Sequence, residues 1–358
     1  MSGSDRLCRQ APWRQPGWLW AVAVGLSLAT QWAVAEVADA GAADAGTRKV
    51  LKIATLAPEG SSWASAVRAI DTTLAAQTHG AVRLRLYPGG VLGDEPVALR
   101  KLRIGQVQGL GLTGLGLAEL CPDIRALEMP FLFADYGEVD HVLTGMTPYY
   151  QAQLAASGVT LLGWTDVGYV HILSREPVRT AADLQRRRVW QLDNEPITAA
   201  LFNQAGVAAV RLGIPDVLVG LQTGLVDVVY APPAAAVALQ WFTRVSWVNV
   251  MPVNYTLGAL VVEQRALATL SPAEQELVRQ VSARQMERLT RETRRQNQEA
   301  MTAMLAQGLQ PVQPDELQIQ AFRDLVEQVR PELVGTAFAA AAAARIDSLL
   351  AAFRARPH

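Results

Sequence analysis

The chain has 358 residues, with 32 Lys plus Arg against 33 Asp plus Glu, 50% apolar residues and 6% aromatic. That length predicts two domains with ample core. A formal charge of −1 without a basic block excludes the usual electrostatic basis for nucleic-acid binding, and Cys8 and Cys121 are too few for a disulfide framework or a zinc ribbon.

The first 35 residues form a leader. Arg6, Arg9 and Arg14 precede the apolar stretch Trp18 to Leu28, and Ala33-Val34-Ala35 supplies small residues at cleavage spacing. This is the build of a secretory signal peptide, cleaved before Glu36. The alternative, a retained membrane anchor, is disfavoured because the stretch is short of the ~20 residues a spanning helix needs. Without the leader, 29 basic and 32 acidic residues remain, a charge of −3, and Cys121 is the one remaining thiol. In Leu120-Cys121-Pro122 it reads as a small buried apolar residue. Residues 36–47, EVADAGAADAGT, read as a flexible spacer.

Val50 to Leu56 reads as a strand, followed by a serine-capped helix carrying Val67, Ile70 and Leu74. Val82-Arg83-Leu84-Arg85-Leu86 alternates as a half-exposed strand does and stops at Pro88-Gly89-Gly90. A helix from Glu95 to Ile104 and an alternating strand after Gly105 complete a βα pattern, so the fold class is α/β. Leu161 to Trp164 and Tyr169 to Leu173 read as two strands, Val189 to Leu192 and Val226 to Tyr230 as two more. Helices are expected at Pro196 to Ala205 and from Pro215 through Leu221, ending at Gly224. Ser271-Pro272-Ala273-Glu274 is a capping box opening a helix that runs to about Ala306. Such a helix, about 50 Å long, braces two lobes rather than serving one. The Ala339 to Ala344 run is expected to be helix surface.

Catalytic patterns are missing. Gly109-Leu110-Gly111-Leu112-Thr113-Gly114 fits G-x-G-x-x-G, but Gly alternates with Leu through Leu117 and Pro122 follows, which is strand patterning rather than a dinucleotide fingerprint. Asp94 and Glu95 sit in a turn as solvated or capping carboxylates. The four histidines, at 79, 141, 171 and 358, have no metal-binding spacing. No G-x-S-x-G elbow and no P-loop lysine occur. An exported α/β chain without a catalytic set points to binding; an exported hydrolase is the enzyme-class alternative. No cofactor is expected.

Several segments in order carry a family resemblance. They are Lys52-Ile53-Ala54-Thr55 with Pro58, Gly60-Ser61 and Trp63; Tyr87-Pro88-Gly89-Gly90 with Gly93 and Glu95; and Met129-Pro130-Phe131-Leu132-Phe133. Asp183-Leu184, Gln222-Thr223-Gly224-Leu225-Val226-Asp227, and Leu270-Ser271 to Glu276 follow. Together, over about residues 50 to 300, they resemble the DctP-like solute receptors of TRAP (tripartite ATP-independent periplasmic) transporters. The resemblance implies a two-lobed periplasmic binding fold with a ligand cleft, lobe closure presenting a small molecule to two membrane subunits, and no catalytic step. The lobes are expected at 48–167 plus 256–295 and at 168–255 plus 296–358. A non-transport sensory role on the same fold is the further alternative.

The family's cleft charges are not retained. Its carboxylate-binding arginine, seven positions past the Asp of the Asp-Leu helix, falls on Trp190. A second arginine, found in part of the family, falls on Val170. The Asp-Gly-x-Glu-Asn-Pro segment becomes Asp227-Val228-Val229-Tyr230-Ala231-Pro232. An Arg–carboxylate fork contributes about 1.5–3 kcal/mol per charged hydrogen bond. An indole and a phenol offer apolar area instead, at about 25 cal/mol per Å². The expected ligand therefore has a large apolar or aromatic body. The alternative is a carboxylate reached by the displaced Arg188. Further candidate contacts are Glu59 and Trp63 at the first strand-to-helix turn, with Tyr169, Gln191, Asn194 and Trp241 near the cleft.

Overall fold

The computed structural model describes residues 48–193 and 195–356. The expected leader, the spacer and Asn194 lie outside the described residues. Among the described residues, no helix is long and apolar enough to cross a membrane.

Among the described residues, ten strands make the sheet framework: β1 (Lys49–Thr55), β2 (Val82–Tyr87), β3 (Gly109–Thr113), β4 (Val159–Ser174), β5 (Val189–Gln191), β6 (Ala209–Arg211), β7 (Val228–Ala231), β8 (Trp247–Asn249), β9 (Asn254–Glu263) and β10 (Gln310–Val312). Their order is β2-β1-β3-β9-β4-β7-β5-β6, with β8 joining β4 to β10. The βα units make β1 parallel to β2 and β3, and β5 parallel to β6 and β7. Between these parallel halves run the antiparallel β9 and β4. β4 serves both: Val159 to Val170 pairs with β9, and His171 to Ser174 with β7. The two strands expected at Leu161 to Trp164 and Tyr169 to Leu173 are thus one crossing strand. Gly163 and Gly168 hide its continuity in the sequence, because both lie at register shifts. Gly168 has φ 126°, and a side chain there would overlap the Asn297 amide.

The helix Pro272–Ala306 forms with its capping box as expected. Val278, Val281, Met286 and Leu289 pack it into the core beneath β1 and β2, while Met301 and Met304 pack it into the core beneath β7. Asn297 ties it to the framework, donating to the Val167 carbonyl and accepting from the Ala234 N–H, both at 2.9 Å. The fold is two-lobed α/β with a bracing helix.

Two expectations are corrected. The Ala-rich helix Ala340–Arg354 is not mere surface: Ala342 and Ala343 are buried. Its small face lets it approach the helix Tyr136–Ala156, and Arg354 forks onto Glu138 of that helix. This C-terminal helix packs, through Ala343, Ile346 and Leu350, into the core that holds Leu110, Leu127 and Val261. The glycine-leucine strand also ends sooner than its pattern suggests, at Thr113, where the helix Gly114–Leu120 begins.

Candidate ligand site

The second lobe holds an aromatic group at the carboxyl ends of β5 and β7. Trp190 on β5 is 4% exposed, and its indole N–H donates to the Leu212 carbonyl at 2.9 Å. Its ring stacks on Tyr230 of β7 at 4.8 Å and meets Trp241 edge-on at 5.2 Å. Phe202 closes on the other side of Tyr230 at 6.4 Å. Trp190 and Trp241 are buried, whereas Tyr230 is only partly so. The indole thus backs the group and the phenol forms its face. The Tyr230 hydroxyl itself is buried with no partner.

The other expected contacts scatter. Gln191 is buried on the opposite face of β5, its carbonyl accepting from Leu212 N at 3.2 Å. Val170 is buried where β4 pairs with β9. Tyr169 joins a different aromatic group, with Tyr136 at 4.9 Å and Tyr255 at 5.8 Å. The Trp63 ring lies against Gly111 of β3 and packs with the first-lobe core. Glu59 is exposed and paired with Arg68. Arg188 is forked onto Asp227, with both bonds at 2.7 Å, so its charge is already matched.

Two carboxylates escaped the sequence reading. Glu128 ends the 3₁₀ segment Pro122–Glu128, accepting from Thr256 Oγ1 and from Leu257 N at 3.2 Å. Burial pushes its carboxyl up to about 7, with Glu195 and Glu95 adding to the effect. Glu195 caps the helix Pro196–Gln204, accepting from Ile197 N at 3.3 Å and from Thr198 N and Oγ1 at 2.6 Å. Among the described residues neither carboxylate is in an ion pair. The available signal for Glu128 was an acid inside the apolar run Ala126-Leu127-Glu128-Met129-Pro130. For Glu195 it was an acid directly before a first-turn proline.

Glu95 accounts for much of the glycine pattern. It is 2% exposed and accepts from Thr113 N at 2.7 Å, Thr113 Oγ1 at 2.8 Å and Gly116 N at 2.8 Å. It therefore caps the short helix after β3, and is buried rather than solvated. A side chain at Gly114 would overlap the Glu128 carboxylate, and one at Gly116 the Glu95 carboxylate. The place where a dinucleotide fingerprint would hold a pyrophosphate is taken by the chain's own acids.

Phe131 bridges the halves. It packs both with the first-lobe core and with the group around Ile172 and Phe322, and its N–H donates to the Val253 carbonyl at 3.0 Å. Its φ of 57° is unusual for a non-glycine residue, a local strain of the kind held at functional sites. Among the described residues Cys121 is the one thiol; it is buried as expected, and burial pushes it up to about 11.

A crossing pair of strands, two parallel half-sheets and one bracing helix define a two-lobed binding protein. The description "Bacterial extracellular solute-binding protein, family 7" matches residues 53–335, and the chain belongs to that family. Among curated relatives, the 2,3-diketo-L-gulonate-binding periplasmic protein YiaO of Escherichia coli K12 is 25% identical over 213 residues, 59% of this chain and 65% of that protein. The C4-dicarboxylate-binding periplasmic protein DctP of Rhodobacter capsulatus is 27% identical over 162 residues, 44% of this chain and 47% of its own length. The matches thus span just under two thirds of one relative and about half of the other.

Solved TRAP periplasmic solute-binding proteins share the fold more fully. One from Ralstonia eutropha H16, with bound (S)-2-acetolactate, has a TM-score of 0.79 and 19% identity, covering 85% of this chain and 99% of that one. One from Xanthobacter autotrophicus Py2, with bound β-D-galacturonate, has a TM-score of 0.78 and 19% identity, covering 84% and 99%. One from Citrobacter koseri, with bound D-glucuronate, has a TM-score of 0.75 and 23% identity, covering 86% and 100%.

Proposed function

We propose that this chain is the periplasmic receptor of a TRAP-type importer and takes its ligand on an aromatic face rather than through an arginine–carboxylate fork. The lobes in this reading are 48–167 plus 256–295 and 168–255 plus 296–358. The membrane subunits of the importer are the partner.

One observation carries the reading of the site: Trp190 stands where the arginine is expected, with its only polar group committed to Leu212. The displaced Arg188 is a poor substitute, since a ligand carboxylate would have to compete with Asp227 for it. The Tyr230 face, backed by Trp190 and flanked by Phe202, offers apolar contact instead. A uronate or a 2-hydroxy-3-oxo acid, such as the related structures hold, would meet the Trp190 indole at that position in place of an arginine.

Native mass spectrometry of the purified exported protein tests this reading. A co-purified solute with a substantial apolar body is expected. A captured sugar acid, released by Arg188→Ala, would instead support the carboxylate reading.

A further inference from the structure

We propose that Phe131 is a positioning residue between the two lobes: its ring, seated where the crossing strand changes partner, holds the lobes in the arrangement described and must leave one of them when they part. This goes beyond the receptor reading above and rests on it for one step, that parting of the lobes admits the ligand.

The seat is defined first by packing. One apolar group holds Leu110, Leu127 and Val261, and another holds Ile172, Val189 and Val228. Among the described residues, Phe131 is the one apolar side chain that packs with both. Its neighbours do not share this. Met129 and Phe133 are buried in the first group alone, where Phe133 meets Tyr255 edge-on at 5.9 Å. The backbone marks the same place. Phe131 N–H donates to the Val253 carbonyl at 3.0 Å, and Val253 N–H donates to the Val170 carbonyl at 2.9 Å. Val170 is the last residue of β4 paired with β9, and His171 is the first paired with β7. The ring therefore sits at the seam where the sheet passes from one half to the other.

The turn that carries the ring is not one that phenylalanine favours. Leu132 N–H donates to the Met129 carbonyl at 3.3 Å, closing a four-residue turn with Pro130 second and Phe131 third. A positive φ at the third position ordinarily selects glycine or asparagine, yet Phe131 adopts 57°. The turn is pinned from outside by the buried Met129 and Phe133, and by Arg354, which donates to the Leu132 carbonyl at 3.0 Å. A bulky residue there strains the backbone, and the contacts of its ring on both sides offset that strain. Moving the halves apart strips apolar contact from one side of the ring, so the ring favours the joined arrangement.

The test is pulsed electron spin resonance on the purified exported protein without added ligand, with nitroxides on Gln77→Cys in the first lobe and Gln222→Cys in the second. Both positions are exposed, and Cys121 is buried and does not compete for the label. Phe131→Ala and Phe131→Gly are expected to raise the ratio of molecules outside the wild-type distance peak to those within it by about tenfold. Glycine suits the turn, so that variant keeps the test decisive where the alanine variant folds poorly. Phe131→Leu keeps apolar bulk and should hold the wild-type peak. Phe133→Leu, a change confined to one group, should lower the melting temperature and leave the distances unchanged.

The receptor reading is tested separately, by the solute that the protein captures, and stands whatever these distances are. A wild-type distance peak in both Phe131→Ala and Phe131→Gly overturns the proposal, as does an equal shift in Phe133→Leu.

Discussion

Two aromatic groups of similar size lie in this molecule, and they are held in opposite ways. At the crossing strands, Tyr255 donates its hydroxyl to Asp166 at 2.5 Å, and Arg294 of the bracing helix bonds the other oxygen of that carboxylate. Arg294 also reaches Asp140 and lies 4.2 Å above the Tyr136 ring. In the second lobe, Trp190, Tyr230 and Trp241 touch mainly through their rings, with one N–H bond to Leu212 and one phenol unpartnered. The first group is a charged joint that fixes where strands and helix cross. The second is held mainly by ring packing; each group leaves one buried phenol unpartnered, Tyr169 in the first and Tyr230 in the second.

That contrast is open to breaking by mutation. The largest effect is expected for Arg294→Ala, which strands the buried Asp166 carboxylate. Breaking a buried pair from one side costs about 3–5 kcal/mol, read as a lower urea midpoint. Loss below 1 kcal/mol would mean that the joint is not what orders the crossing.

A smaller but sharper comparison removes one hydroxyl from each group. Tyr255→Phe should cost about 1.5–3 kcal/mol, since its bond goes to a carboxylate. Tyr230→Phe should change stability by less than about 0.5 kcal/mol, since no bond is lost. Equal costs in thermal melts would erase the distinction between the groups.

Glu128 gives a pH signature. Glu128 holds its proton more tightly when folded, so its contribution to stability is full below about pH 4.5 and is lost as pH rises through about 7. Asp71, held low chiefly by its bond to Arg83, works the other way and loses its contribution as pH falls below the usual carboxylate range. Glu128→Gln should therefore remove a decline of about 1–2 kcal/mol between pH 5 and 8, and leave the acid limb unchanged. Melting curves across that range decide it, and parallel profiles for the two proteins would sink the assignment.

Much of the framework was readable because its signals are local. The alternation of Val82 to Leu86, the Ser271–Glu274 capping box and the Gly224 stop each report on a few neighbouring residues. The continuity of β4 was not readable, because its bulges at Gly163 and Gly168 are demanded by Met286 and Asn297, more than a hundred residues away. The placement of the C-terminal helix was hidden for the same reason, as its partner Glu138 lies on an early helix. At the site, Trp190, Tyr230 and Trp241 were readable as candidates and do come together. Glu128 and Glu195 were not, since in the sequence each looks like an ordinary capping acid.

The most direct measurement is a calorimetric titration of the purified protein with D-galacturonate, the ligand held by the related Xanthobacter protein. The proposed aromatic site, with Trp190 in place of arginine, predicts no binding at millimolar sugar acid. Micromolar binding, whether or not it survives the loss of Arg188, would contradict it.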